Sequence, residues 1–414
     1  MPFAADGEAR RVLRLAWRNL LRNPGRTTMI LLAVMGGVTS LMLAGGFIED
    51  LFHQLGEALI HSQSGHVQVA RAGYFDAGSR SPERYLVQAE AADVLAVESL
   101  PEVEALMQRV RFAALLGNGR SDLAVLVEGV EPGKEARLGT FVTMVSGRAL
   151  ADGDAFGMTI GAGVARALHL APGDRVTLLV STAAGALNTV DFEVVGTFRT
   201  FSREFDARYV RISLAAAQEL LASEGVNTLV VVLHDTADTG RTSAGLARMF
   251  AGRGYEVRPW QGLNDFYDKT VQLYRRQLGV LRLIILVMVG LGVVNLVNVA
   301  VLERTGEFGT MRALGNRDRQ VFTLVLAESL LLATLGAMLG LLAGALLAWA
   351  ISALGIPMPP PPNAEVGYTA RIRLTPGVLA ESALVGFVAT IGAAIPPAIR
   401  VSRMRIADQL RQAI

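Results

Sequence analysis

Four stretches of this 414-residue chain are apolar for long enough to cross a bilayer, and they constrain everything else it can fold into. Residues 27–47 and 283–301 carry no charge, 321–351 carry only Glu328, and 377–395 carry only Glu381. A spanning helix needs roughly 20 apolar residues. The first run is too long for the apolar core of a signal peptide, so it reads as a retained transmembrane helix. With 51 % hydrophobic and 18 % charged residues, the chain reads as a membrane protein with a sizeable soluble part.

That soluble part is 62–262. Strands are expected at 66–70, 121–130, 175–180 and 191–198, and helices at 91–100, 162–168, 214–222 and 243–252. The mixture predicts an α+β domain, with room for two subdomains. On either side of it, apolar stripes continue outward as helix: Ile48, Leu51, Phe52, Leu55 and Leu59 before, and Tyr267, Val271, Tyr274, Leu278 and Leu281 after. The two form a stiff stalk rather than a flexible linker.

Residues 8–23 predict an amphipathic helix. Leu13, Ala16, Trp17, Leu20 and Leu21 share one face and Arg11, Arg14, Arg18 and Arg22 the other, a pattern suited to the headgroup layer. Asn23-Pro24-Gly25 breaks it. Short-loop charge sets orientation. Six Arg precede the first run, four lie between the second and third, and four follow the last, where Pro396-Pro397 is expected to end the helix. The proline-rich loop beyond the third run, which includes Pro357 and 359–362, is followed by only Arg371 and Arg373 before the fourth. Both termini are therefore expected inside and the large domain outside.

Much chemistry is excluded. Without Cys there is no disulfide, thiol catalysis or cysteine-linked lipid anchor. Gly133-Lys134 is followed by Glu135 rather than Ser or Thr, so no phosphate-binding loop forms. Gly161-Ala162-Gly163 begins like a dinucleotide fingerprint but meets Arg166 at the third glycine position. His61 and His66 lack the carboxylate spacing of a zinc site. Asp152 and Asp154 flank a turn glycine. A formal charge of +2 is too small to suggest nucleic acid. The exception inside the bilayer is Glu328, at a cost of roughly 2.5–3.5 kcal/mol on insertion scales. It lies about two turns from the inner face, where an Arg partner reduces that cost.

The segment 302–316, LERTGEFGTMRALGN, has room for one short polar helix between two spans. It can receive a push from a soluble partner and pass it into both. Candidate contacts with that partner are Glu303, Arg304, Glu307, Phe308, Met311, Arg312 and Leu314. Gly36 and Gly37 with Val38 and Leu41 mark a thin surface on the first span, fitted to helix packing or lateral entry. Gly336, Gly340 and Gly344 form small-xxx-small steps in the third.

With these motifs in place, the chain resembles the MacB, FtsX-like and lipoprotein-releasing permease superfamily of ABC transporters. Trp17 to Asn23 with Arg26-Thr27 looks like the family's elbow helix. Glu303 to Gly309 with Met311 to Gly315 looks like its coupling helix, followed by Glu328-Ser329. Pro396-Pro397-Ala398 with the arginines of 400–405 looks like its closing segment. Gly65 to Val69 with Gly73-Tyr74 looks closest to the lipoprotein-releasing branch.

The resemblance implies a membrane α-helical protein of four transmembrane helices, with a large α+β periplasmic domain inserted between helices 1 and 2. Expected boundaries are 1–26 for a cytoplasmic elbow helix, 27–61 for helix 1 and stalk, and 62–262 for the periplasmic domain. Stalk and helix 2 follow at 263–302, the coupling helix at 303–320 and helix 3 at 321–351. A periplasmic loop occupies 352–376, helix 4 occupies 377–395, and 396–414 is a cytoplasmic tail. The resemblance further implies the bacterial inner membrane, a second permease copy or paralogue, and a cytoplasmic ABC ATPase that binds the ATP and Mg. No cofactor or metal is expected on this chain, and it is expected not to be an enzyme.

Cargo is expected to be lipoproteins or other amphiphiles, passed to a periplasmic acceptor or adaptor. Two alternatives stand beside this: MacB-like efflux of peptides or small amphiphiles, and an FtsX-like scaffold that activates a periplasmic cell-wall hydrolase.

Overall fold

The computed structural model describes residues 3–411 except 79–81, 89, 139–140, 183–184, 264 and 361–366. Pro361 and Pro362 of the expected loop lie outside the described residues, and so does the side chain of Arg11 in the amphipathic stripe. The chain divides into two compact units, one of 1–52, 271–356 and 369–414, the other of 53–270 and 357–368.

The chain opens with helices α1 (Phe3–Arg22) and α2 (Pro24–Leu59), separated at Asn23. Pro24 takes the first helical position, where its missing N–H costs nothing. A π turn, Ile60–Ser64, continues α2. There follow β1 (Val67–Arg71), α3 (Tyr74–Ala77), α4 (Ala91–Glu98), β2 (Val103–Gly117), β3 (Asp122–Val130) and α5 (Pro132–Leu138). Then come β4 (Thr143–Gly147), β5 (Gly157–Gly161), α6 (Ala162–Leu168), β6 (Arg175–Ser181), β7 (Leu187–Arg199) and α7 (Arg203–Asp206). The soluble unit closes with β8 (Tyr209–Ser213), α8 (Leu214–Leu221), β9 (Thr228–Leu233), α9 (Thr239–Met249) and β10 (Tyr255–Pro259). The remaining helices are α10 (Asp265–Glu303), α11 (Thr305–Ala313), α12 (Asp318–Leu354), α13 (Pro376–Arg403) and α14 (Ile406–Arg411).

In the soluble unit the sheet order is β10-β1-β9-β2-β3-β8-β5-β7-β4, with β6 against β2 and β7. Strand β2 serves two sheets. Residues 103–109 pair with β9, and 110–117 pair with β3. It is therefore the seam of the two subdomains that the sequence leaves room for. Val110, Val127, Val194, Ile160, Ile212 and Leu220 form the dry centre.

In the membrane unit, α12 and α13 pack along most of their length, with α1 against α12 and α11 against α14. Helices Pro24–Ser64, Tyr267–Glu303, Asp318–Leu354 and Pro376–Arg403 are each long and apolar enough to span a bilayer. The expected stop at Pro396-Pro397 does not occur, since α13 runs through both prolines to Arg403. Ala394, Ala398 and Val401 are fully buried on either side of them. That packing outweighs the backbone hydrogen bonds the prolines forfeit, as membrane helices tolerate.

Candidate functional site

Helix α10 ends at Glu303 and α11 starts at Thr305, so a single residue, Arg304, makes the corner (φ −106°, ψ 13°). Thr305 caps the end of α10, its Oγ1 donating to Leu302 O at 2.8 Å and Val301 O at 3.1 Å. Carbonyls in the last turn of a helix are the ones left short of intrahelical partners. The corner turns the Arg304 side chain inward. Its Nη1 donates to both oxygens of Glu328 at 3.0 Å, and its Nε donates to Glu307 Oε2 at 3.0 Å. The guanidinium lies 5.2 Å from the centre of the buried Phe308 ring. Asn19 of α1 donates to Glu328 Oε1 at 2.6 Å, and Arg22 pairs with Glu307. Arg26, at the foot of α2, pairs with Glu303 at 2.7 Å.

One polar hub thus ties α1, α2, α10, α11 and α12 together. Its three arginines balance its three carboxylates, and the pairing with Arg304 is what makes a largely buried Glu328 tolerable. The far end of α11 is tied separately. Arg312 binds Asp318 at 2.7 Å and also Met404 O, and Gln409 of α14 donates to Val401 O at 2.8 Å.

The seven residues expected to meet a partner therefore divide. Arg304 and Phe308 face inward, whereas Glu303, Glu307 and Arg312 are engaged within the chain. Met311 is half-buried, and Leu314 projects with 83 % of its surface exposed. Thr310 and Ala313 are exposed beside it, and Gly315 (φ 100°) supplies the left-handed turn after it. The outward face of α11 is thus small and apolar. Asn19, Arg22 and Arg26 escape sequence reasoning as hub members, and Gln409 as part of the tie at the far end of α11. Their only signal is polar residues near the expected membrane face, three of them in the arginine-rich amino-terminal segment.

The packing glycines lie where the small-xxx-small pattern puts them. A Cβ on Gly336 would sit 2.8 Å from Val34 Cβ, one on Gly340 2.7 Å from Val38 Cβ, and one on Gly344 2.6 Å from Met42 Sδ. Thr39 Oγ1 also donates to Gly340 O at 3.0 Å. Gly37 admits Val289 of α10, while Gly36 faces open space. Val38 and Leu41, expected to serve helix packing or lateral entry, lie within the helix packing of this chain. Val38 is fully buried between Gly340 and Gly386, and Leu41 is buried as well. A β-branched side chain at position 38 fills the groove that the glycines open. Glu381 pairs with Arg282. The stalk helices meet as their stripes imply, with Phe52 and Tyr274 edge to face at 6.1 Å.

In the soluble unit the decoys have structural roles. Gly161 and Gly163 let α6 approach the backbone of Asp206 and Ala207. Asp154 clamps Arg148 at 2.7 Å and Ala151 N at 2.8 Å, and Asp152 accepts from Gly133 N at 2.9 Å.

Residues 27–249 match the MacB-like periplasmic core domain, and 279–406 match the FtsX-like permease C-terminal segment. The chain is 25 % identical to the macrolide export ATP-binding/permease protein MacB of Hyphomonas neptunium, covering 97 % of this chain and 60 % of that protein. It is 24 % identical to the pyoverdine export ATP-binding/permease protein PvdT of Pseudomonas putida, over 82 % and 52 % respectively. It thus spans little more than half the length of both. To the lipoprotein-releasing system transmembrane protein LolC of Neisseria meningitidis it is 23 % identical, over 78 % of this chain and 77 % of that one. Among solved structures, the periplasmic region of MacB from Actinobacillus actinomycetemcomitans aligns at a TM-score of 0.37 with 10 % identity, over 52 % of this chain and 95 % of that one. The first match covers more than half the chain and the second most of the remainder, so the chain belongs to the MacB and FtsX-like family of ABC transporter permeases.

Proposed function

We propose that this permease converts ATP hydrolysis by a separate cytoplasmic ATPase into rearrangement of its exported domain, and so extracts lipoproteins or other amphiphiles from the inner membrane. Both termini lie in the cytoplasm, and a second copy or paralogue completes the transmembrane unit. The ATPase docks on the outward face of α11 at Ala313 and Leu314, with half-buried Met311 at its inner edge. The hub behind that face passes its displacement to α1, α2, α10 and α12.

One observation carries this reading. The ionisable residues of the four apolar runs are Glu328 and Glu381, and each is already paired within the chain. No charged group is left to line an aqueous path, so movement rather than passage through the helices is what this architecture favours. An amphiphile that stays in the outer leaflet needs no such path.

Reconstitution tests it: the full chain and its ATPase in proteoliposomes with a fluorescent triacylated lipoprotein should transfer that cargo to a soluble acceptor only with ATP. ATP hydrolysis without transfer would refute the cargo assignment. A second reading, efflux of soluble peptides or small amphiphiles, is supported by the match over 27–249 and by relatives named for macrolide and pyoverdine export. ATP-driven movement of a non-acylated peptide, with no transfer of the lipoprotein, would establish it instead.

A further inference from the structure

The π turn that ends α2 is gripped by side chains from three strands. Helices leave their last carbonyls unpaired and carry partial negative charge there. Here Arg211 of β8 donates through Nη2 to Ser62 O at 2.9 Å, Arg109 of β2 donates to Gln63 O, and Gln68 of β1 donates to Ser64 O at 2.8 Å. Gly65 (φ 63°) turns the chain away, in a space where a Cβ would strike Val230.

The two arginines belong to a buried charge cluster laid out by strand register. Arg111, Glu128 and Arg211 are direct neighbours across β2, β3 and β8, and so share one face. Arg109 lies two residues before Arg111 on that face, where β2 passes from one sheet to the other. Glu128 accepts from Arg111 at 2.6 Å and Arg211 at 3.1 Å, and Glu135 of α5 accepts from Arg109 at 2.7 and 2.9 Å. Burial pushes the Glu128 carboxyl up, but the arginines outweigh it and hold it at about 2.

Three guanidiniums thus face two carboxylates. The surplus positive charge is met by the carbonyl end of α2. Such a cluster is poor evidence for stability, since an apolar replacement of similar volume often folds as well or better. What it does supply is direction. The forks of Arg109 and Arg211 each hold a carboxylate and a helix carbonyl at once, fixing the angle at which the helix enters the sheets.

We propose that Arg109 and Arg211 are positioning residues. They form a cationic socket that locks the outer end of α2 to the seam strand β2, so that displacement of α2 reaches both sheets rather than being absorbed at the π turn. The mechanical part rests on the function proposed above; the socket itself does not.

The chain has no Cys, so labels can be placed without background. In the full chain in nanodiscs, spin labels at His53→Cys on α2 and Ala215→Cys on α8 should give one narrow distance distribution. The double substitution Arg109→Met with Glu135→Leu should at least double its width, with the melting temperature changed by only a few degrees. Arg109→Lys should broaden it as well, because one ammonium cannot reproduce the fork, and this variant decides the matter if the double one fails to fold. An unchanged width in folded protein overturns the socket. With the partner ATPase and a triacylated lipoprotein probe, socket variants should keep ATP hydrolysis and lose at least tenfold in release. Broadened distances with undiminished release overturn the mechanical role. Absence of release from the unmodified chain refutes the cargo reading alone, leaving the distance result in place.

Discussion

Replacing Arg304 by Met tests whether the hub, rather than the apolar packing around it, fixes α11. Met keeps much of the side-chain volume over Phe308 but removes both hydrogen bonds to Glu328 and the one to Glu307. Glu307 retains Arg22; Glu328, with its side chain only 15 % exposed, retains Asn19 alone. Breaking a buried pair from one side costs about 3–5 kcal/mol. The remaining amide contact places this case near the low end, about 3 kcal/mol. Glu328→Leu strands Arg304 less severely, because Glu307 remains, and should cost about 2 kcal/mol. Removing both leaves no unpaired charge, so the double variant should lie within about 1 kcal/mol of the parent. The coupling between the two positions is then about −4 kcal/mol. Thermal unfolding in nanodiscs, followed by tryptophan fluorescence, reads these as a fall of roughly 6–12 °C for Arg304→Met and its near-complete reversal in the double variant. The double variant should nonetheless stimulate its ATPase poorly, because α11 has lost its tie to α12. Additive losses, or a single variant as stable as the parent, would show that packing alone holds α11 and that the hub transmits nothing.

Gly340→Leu should destabilise the membrane unit by about 1–3 kcal/mol, since even its Cβ would lie 2.7 Å from Val38 Cβ and 3.0 Å from Met35 O; Gly36→Ala, in open space, is the control and should leave melting unchanged. Leu314→Asp should preserve melting while weakening ATPase binding at least tenfold in a pull-down titration, and unaltered binding would exclude this face as the dock. His66 should make the soluble unit acid-sensitive. Its Nδ1 accepts from Leu233 N at 3.1 Å and its Nε2 lies 3.1 Å from Thr236 Oγ1, which itself donates to Glu57, so the network uses the neutral ring. Burial, reinforced by His61, pushes its pKa from 6.5 down to about 4. Between those values the unfolded chain takes up a proton that the folded one refuses. The contribution is therefore complete above pH 6.5 and falls as pH drops toward 4, by at most about 3 kcal/mol. Unfolding midpoints at pH 7 and pH 5 should differ in the parent and converge in His66→Gln.

The membrane helices were legible because their signal is additive along one segment: a run of apolar residues is a span whatever its neighbours do. The interior of the soluble unit was less so. Helices α6 and α8 follow from local periodicity, and β3, β6 and β7 from β-branched runs. Strand β2, VEALMQRVRFAALLG, is rich in Ala, Leu, Met, Glu, Gln and Arg and reads as helix by propensity. It is a strand because β3 folds back on it as a hairpin and because β6 and β9, from distant parts of the chain, pair with it as well. Pro396-Pro397 misleads in the opposite sense. The local rule calls for a stop, and burial of Ala394, Ala398 and Val401 overrides it.

The site shows the same division at the level of single side chains. That 302–316 holds a short helix between two spans needs only composition and length. Which side of it faces a partner depends on Arg304, and nothing local states that this arginine turns inward while Leu314 turns out. The reason is non-local. Glu328, 24 positions along the chain, must be neutralised where water is scarce, and the corner between α10 and α11 is where a guanidinium can reach it. The lone carboxylate of the third span is therefore the residue that orients α11. Its demand for a partner draws Arg304 inward, Phe308 and Met311 follow on the same side, and what remains for the outer face is Thr310, Ala313 and Leu314. A sequence reader who treats an intramembrane carboxylate as a search for its cation, rather than as a site in itself, would recover the inward face of α11 before seeing any structure.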